Sequence, residues 1–435
     1  MLKKLSMLVM GAMTMTATVS AQELTIATVN NGDMITMKSL SSDFEAKHPG
    51  ISLKWVTLEE NILRQRVTTD VATKGGQYDI MTIGTYEVPI WGKQGWLTHL
   101  DDLGETYDTD DLLPGIKAGL TVDEKLYAAP FYGESSMVMY RKDLFEKAGL
   151  TMPKEPTWSF IAKAAAATTD KDAGVYGICL RGKAGWGENI ALLTAMSNSF
   201  GARWFDENWQ PQFDSKPWAD TLNYYVDLLG NYGPPGASAN GFNENLSLFQ
   251  TGKCGMWIDA TVAGAFVTNA NDSEVADQVG FAMAPDNGLG KRGNWLWAWS
   301  LAIPSSSKKS EEAQKFISWA TSKEYSELVA KNKGWASVPP GTRTSLYENE
   351  AYMSAAPFAQ VTLDSINAAD PSNPTVQPVP YVGVQFVAIP EFQGIGTAVG
   401  QQFSAALAGN MTPEAALKNA QRLTQRTMKK ARYIK

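Results

Sequence analysis

Two cysteines and two histidines are all that 435 residues contain. That scarcity removes the usual signals of metal and nucleophile chemistry. His48 stands in a Lys-His-Pro-Gly helix exit and His99 precedes an acidic run, so neither forms an H-E-x-x-H pair. There is no G-x-S-x-G elbow and no C-x-x-C. "GLGKRG" (288–293) and "TGKCG" (251–255) lack the spacing and the Ser/Thr of a phosphate loop and read as turns. Basic residues form no dense cluster beyond a modest C-terminal one, and the net charge is −7, so no nucleic-acid partner is expected. Beyond the N-terminus no stretch of about 18 residues is apolar and uncharged, so no transmembrane helix is expected. Repeats and low-complexity tracts are absent too. Of the common enzyme chemistries, acid/base work by two nearby carboxylates stays open, because 45 Asp and Glu are present.

What the chain does have begins at its N-terminus. "MLKKLSMLVMGAMTMTATVSA" joins Lys3 and Lys4 to a short apolar run and to small residues at Val19 and Ala21. This is the pattern of a cleavable secretory signal over residues 1–21, with cleavage after Ala21. Loss of Lys3 and Lys4 takes the net charge from −7 to −9. Gln22 rather than Cys follows the cut, so no lipid anchor is expected. An exported, soluble protein permits disulfides. Cys179 and Cys254, 75 residues apart, could pair or stay as buried thiols.

Hydrophobic periodicity then sets the class. "ELTIATVNN" (23–31), "ISLKWVTL" (51–58) and "YDIMTIG" (78–84) read as strands. Between them, Met37, Leu40 and Phe44, then Leu63, Val67 and Val71, recur at helical spacing. Alternating strands and helices predict a parallel sheet with crossover helices, and ligands sit at the carboxyl ends of such strands. The loops Asn30–Asp33, Glu59–Asn61 and Gly84–Glu87 are therefore the ones to watch. "GVYGICLRG" (174–182) and "CGMWIDAT" (254–261) read as further strands, and 309–331 as two helices. Residues 373–390 form a proline-rich connection. A C-terminal helix is capped by Thr412, with Pro413 in its first turn.

Four segments together carry a resemblance: "YDIMTIGTYEVPIWGKQGWLTHLDDL", "EKLYAAPFYGESSMVMYRKDLFEKAGLTMPKEPTWSFIAKAA", "FQTGKCGMWIDATVAGAF" and "WSLAIPSSSKKSEEAQKFISWATSKEYSELVAKNKGWASVP". The chain resembles the solute-binding proteins of bacterial ABC sugar importers, the large family that includes maltose-binding protein. "ATVNNGDMITMKSL", "LEENILRQRV" and "PFYGESSMVMYRKDLF" resemble the members that bind linear polyols such as sorbitol and mannitol. The resemblance implies an α/β, two-lobe periplasmic-binding-protein fold of type II, with interleaved lobes, a hinge and a cleft between them. Lobe one is placed at 22–134 and 286–336, lobe two at 135–285 and 337–435. It implies a periplasmic, monomeric, non-catalytic receptor without cofactor or metal, whose partners are the ligand and the transmembrane permease subunits of an importer. Two alternatives stay open. One is a receptor for a cyclic mono- or oligosaccharide. The other is an exported carbohydrate-active enzyme with Glu134 and Asp259 across the cleft.

A polyol offers hydroxyls and C–H edges but no charge, so its site needs carboxylates, guanidinium forks, amides and flat apolar walls. The resemblance places Glu134 on the ligand, with an ion pair at the hinge as the rival role. Asn30, Asn31 and Asp33 end the first strand, where turn formation explains them equally. Glu60, Asn61 and Arg64 open the second helix, and Tyr86 follows the third strand. Arg181 and Trp186 flank "RGKAGWGEN". Asp259 ends "GMWID", where it would otherwise cap a helix. Trp335 and Phe392 could be core or cleft lining, while Trp158, Trp209, Trp218 and Trp319 are assigned to packing or surface.

"GNWLWAWSLAIP" (293–304) spaces Trp295, Trp297 and Trp299 two apart, which on a strand puts all three indoles on one face. On the family layout this strand returns the chain to lobe one past the cleft. Trp297 is then expected to line the cleft, Trp295 after it, and Trp299 to pack.

Overall fold

The computed structural model describes residues 22–435; the signal-peptide reading lies outside the described residues. Two sheets, one mixed and one antiparallel, organise the chain. Strands β1 (Gln22–Val29), β2 (Ile51–Leu58) and β3 (Ile80–Gly84) pair in parallel, in the order β2-β1-β3. Helices cross over between them, as the periodicity predicts. β3 is buried along its whole length, the expected state of a parallel strand covered on both faces. The crossover helices begin at side-chain caps. Asn31 Oδ1 accepts from Met34 N at 3.0 Å, and Glu59 Oε2 from Ile62 N at 3.2 Å. The first predicted helix breaks in two at Ser41.

The sheet continues with β4 (Leu97–Thr98), and a small hairpin of β5 (Thr121–Val122) and β6 (Lys125–Leu126) lies beside it in sequence. β7 (Ala128–Glu134) is wholly buried and ends on a carboxylate. One residue, Ser135, then separates it from β8 (Ser136–Arg141), which lies in a second sheet of order β10-β8-β9, with β9 at Met256–Ala260 and β10 at Val279–Met283. β11 (Trp297–Pro304) brings the chain back. It runs antiparallel to β3, β4 and β7 and sits inside the first sheet. Pairing sets Trp297 opposite Glu134 and Trp299 opposite Gly84, with a register shift after Trp299. A Cβ at Gly84 would fall 2.0 Å from the Trp297 indole, so the strand keeps glycine where that ring lies.

A third passage between the sheets follows the helices Ser310–Ala320 and Lys323–Lys333. Here Gly133 N donates to Pro340 O at 2.9 Å, and Gly341 has φ +73°. A side chain on either glycine would collide with the other's backbone. Backbone thus lies on backbone beside the end of β7. The chain closes on helices Phe392–Leu407 and Pro413–Lys430, which pack on Lys216–Tyr232. Thr412 caps the last helix as expected.

One predicted strand is absent. "GVYGICLRG" forms only isolated bridges, parallel ones from Tyr176 to Cys254 and from Cys179 to Trp257 and an antiparallel one from Val175 to Asp170. A disulfide between the fully buried Cys179 and Cys254, with Cα atoms 5.9 Å apart, ties this irregular segment to the start of β9. Closing a loop of 75 residues restricts the unfolded chain. Reduction is therefore expected to lower the unfolding free energy by about 3–4 kcal/mol. Guanidinium titrations with and without reductant measure this, and coincident midpoints would refute it.

Candidate functional site

Three loops at the carboxyl ends of β1, β2 and β3 meet the loop 181–188 of the second body. Two adjoining cavities lie where they meet, with about 600 and about 360 Å³ of empty space including their mouths. Glu60, Glu134 and Trp299 line both. Asn30, Asn31, Asp33, Tyr132 and Glu188 line the larger, and Arg64, Arg181, Trp186, Trp295 and Trp297 the smaller.

Two buried guanidinium groups build the walls. Arg64 is 5% exposed; its Nε and Nη2 donate to Glu60 Oε1 at 3.0 and 2.9 Å, and its Nη1 to Glu87 Oε1 at 2.9 Å. The other Glu87 oxygen accepts from Gly84 N at 3.0 Å. The Arg64 guanidinium carbon stands over three indoles, 4.0 Å from Trp186, 4.6 Å from Trp299 and 4.9 Å from Trp297. Arg181 donates to both Asp259 oxygens through Nε and Nη2, at 2.7–3.1 Å, and to Gly187 O through Nη1 at 2.9 Å. Asp259 also accepts from Trp257 Nε1 and Ala260 N.

The two bodies touch over the cavities. Lys183 Nζ donates to Glu59 Oε1 at 2.5 Å, Asn61 Nδ2 to Ala184 O at 3.3 Å, and Asn243 Nδ2 to Asn30 O at 3.3 Å. Gly185 and Gly187 flank Trp186 in this contact. A Cβ on Gly187 would fall 2.3 Å from Glu60 Oε1, and one on Gly185 2.5 Å from Asn61 Oδ1.

Several polar atoms around the cavities have no protein partner. Asp33 Oδ2, Trp186 Nε1 and Trp295 Nε1 make no hydrogen bond, the Glu134 carboxylate receives none among the described residues, and Glu188 Oε2 has only an ion pair to Arg181 Nη1 at 3.5 Å. Burial, with lesser contributions from the neighbouring charges, raises the Glu134 carboxyl well above its ordinary range. Burial likewise pushes Asp33 up to about 7 and, helped by the nearby Glu60 charge, Glu188 up to about 8. An acid raised on folding holds its proton where the unfolded chain has released it. Stability from these two groups is therefore complete below the usual carboxylate range and is lost as pH rises through about 7 and about 8. Melting of the ligand-free protein is expected to fall steadily from pH 5 to pH 8, and D33N to flatten the lower half of that slope. A flat or rising profile would count against it.

The expected residues divide by position. Asn30, Asn31, Glu60, Arg64, Glu134, Arg181, Trp186 and Trp297 line the cavities. Four others do not. Asp259 is fully buried behind the wall, with its oxygens engaged by Arg181, Trp257 and Ala260, so it positions Arg181 and faces no cavity. It is also no free partner for Glu134 in the acid/base pair considered above. Tyr86 packs on Trp186 at 4.7 Å, and its hydroxyl donates to Ile389 O at 2.9 Å. Asn61 spends its amide on Ala184 O. Trp335 lies half-buried in a short turn after Gly334, whose φ of +89° ends the preceding helix and carries the ring away from the cavities. Phe392 is fully buried among Tyr86, Trp186 and Trp204.

The tryptophan series also needs correcting. β11 starts at Trp297, so alternation relates only Trp297 and Trp299. Trp295 reaches the same cavity from the extended segment before it. Trp299, assigned to packing, lines both cavities. Tyr132 and Glu188 were not singled out. Tyr132 stands two residues before Glu134 on a strand, and that spacing marks it as sharing the face. Glu188 carried no comparable signal.

The model of the bacterial extracellular solute-binding protein family matches residues 30–327. A mannitol-binding protein of Pseudomonas aeruginosa is 58% identical over 415 residues, 95% of each chain. The crystal structure of an ABC transporter solute-binding protein from Agrobacterium vitis, with bound D-mannitol, is 74% identical, with TM-score 0.95 over 95% of this chain and all of that one. At 24% identity, a solute-binding protein from Agrobacterium radiobacter in complex with ribitol shares the fold, with TM-score 0.82 over 94% of this chain and 99% of that one. These homologues are solute-binding proteins rather than enzymes. With its two bodies, its cleft and these relatives, the chain belongs to the bacterial extracellular solute-binding protein family.

Proposed function

We propose that this chain binds a linear hexitol, D-mannitol in the first instance, in the cleft and delivers it to the transmembrane permease of an ABC importer. The supporting observation is the set of unpartnered polar atoms on the two joined cavities. Asp33 and Glu134 offer acceptors, and the indole N–H groups of Trp186 and Trp295 offer donors. Each hydroxyl of a polyol both donates and accepts, so a row of them answers such a mixed wall. The name of the Pseudomonas relative and the D-mannitol of the Agrobacterium vitis structure point to the same ligand.

In this reading Glu134, Glu60, Asn31, Asp33, Arg64, Arg181, Trp186 and Trp297 contact the ligand, with Asn30 at the mouth. The lobes are 22–134 with 286–336, and 135–285 with 337–435. The passages at Ser135, at 284–296 and at 334–343 form the hinge between them. Ligand that touches both lobes favours the shut arrangement, by as much as its affinities for the two states differ. Residues 1–21 direct export to the periplasm, where the monomer works without cofactor.

Calorimetric titration with mannitol, sorbitol, ribitol, glucose and maltose tests this. A saturable response to a hexitol at micromolar concentration or below, with weaker or no response to the cyclic sugars, is expected. No response to any polyol would sink the reading.

A further inference from the structure

Sugar rings bind flat indoles because one face of the ring carries axial C–H groups. Such stacking needs an indole face that is open. This cleft has four tryptophans, yet Arg64 lies over three of them, within 4.9 Å of each ring. The opposing neighbours are also placed. Tyr86 packs against Trp186 at 4.7 Å, Trp297 meets Trp299 edge-on at 5.4 Å, and the backbone at Gly84 abuts Trp297.

Arg64 cannot swing aside. Glu60 and Glu87 accept three of its N–H groups, and Glu87 is fixed in turn by Gly84 N. A guanidinium carries five N–H groups, so two remain, one on each terminal nitrogen. Both belong to a side chain that lines the smaller cavity. The same group therefore hides aromatic surface and supplies donors for hydroxyl oxygens.

We infer that Arg64 is the specificity-determining residue of the cleft: by capping Trp186, Trp297 and Trp299 it excludes stacked pyranose rings and admits open-chain polyols. This rests on the polyol reading above. The indoles present their N–H edges to the ligand instead of their faces, which agrees with the unpartnered Nε1 atoms of Trp186 and Trp295. Lysine could not replace Arg64, since it has no fork with which Glu60 and Glu87 together hold the cation among the three rings.

The test is calorimetry on wild type, R64A and R64K with mannitol and with methyl α-glucopyranoside. Wild type binds mannitol and shows no heat with the glucoside. R64A is expected to lose mannitol affinity by roughly 30-fold or more, through lost charged hydrogen bonds, and to gain saturable binding of the glucoside. R64K, which keeps the charge but loses the fork that pins the group to Glu60 and Glu87, is expected to lose mannitol affinity less than R64A and still to gain glucoside binding. Because R64A leaves Glu87 buried without its partner, R64A/E87Q serves as the second variant if R64A fails to fold by near-ultraviolet circular dichroism. A folded variant that loses mannitol and gains no glucoside overturns the inference alone. Wild type that binds no linear polyol overturns the polyol reading instead, and the inference with it.

Discussion

Glu134→Ala is expected to abolish hexitol binding, with affinity falling at least 100-fold, while the fold survives. Glu134 ends β7, lines both cavities and receives no hydrogen bond from the described protein. A carboxylate in that position can accept from two hydroxyls at once. Hydroxyl donors of the ligand favour the ionised form of this carboxyl, and each bond to that form is worth about 1.5–3 kcal/mol, so losing two costs about 3–6 kcal/mol less what ionisation takes. The ligand-free protein does not lose that energy, because burial already penalises the Glu134 charge. Its melting temperature should hold or rise, particularly above pH 7. Calorimetry and thermal melts on one preparation separate the two effects. Hexitol affinity within a few-fold of wild type would remove Glu134 from the site.

Asp259→Ala should behave in the opposite way and destabilise the chain itself. Arg181 and Asp259 are both buried, and the carboxylate is held by two guanidinium nitrogens, an indole N–H and a backbone N–H. Removing one member of such a pair strands the other, at a cost of about 3–5 kcal/mol. Glu188, with Oε2 3.5 Å from Arg181 Nη1, offsets part of that loss. Denaturant unfolding would show the deficit as a lower midpoint at unchanged slope. Ligand affinity should fall as well, because the Arg181 fork loses its aim. D259N keeps a hydrogen-bond acceptor and should be milder. Stability within 1 kcal/mol of wild type in D259A would mean that Glu188 replaces Asp259 fully.

The sequence made the scaffold legible because its signals are local. Periodicity over 23–84 located three parallel strands, and the rule that ligands sit at their carboxyl ends singled out loops that now hold Asn31, Asp33, Glu60 and Glu87. What stayed hidden depends on distant partners. Asp259 reads as a ligand contact until Arg181, 78 residues earlier, is found to occupy it. Tyr86 is drawn away by Ile389, 303 residues later. "GVYGICLRG" has the alternation of a strand but lies where a disulfide and isolated bridges hold it, without a continuous ladder. Alternation alone put Trp299 on the face of Trp297, as the cavities show; its assignment to packing came from the family layout, which moved it into the sheet core.

The polar contacts at the rim of the cavities are few, one exposed lysine–glutamate pair and two amide–carbonyl hydrogen bonds of 3.3 Å, while further in Trp186 packs on Arg64 and Tyr86. Surface pairs of this kind contribute about 0–1 kcal/mol each. The rim pairs by themselves therefore add little to closure. An importer gains from that weakness. A receptor that stays shut when empty would compete for the same membrane port as its loaded form and stall the cycle, and a rim with so few bonds suits one that reopens. Stiffening the seam, for instance by a cross-link between positions 61 and 184, would then poison transport while leaving ligand retention better than before.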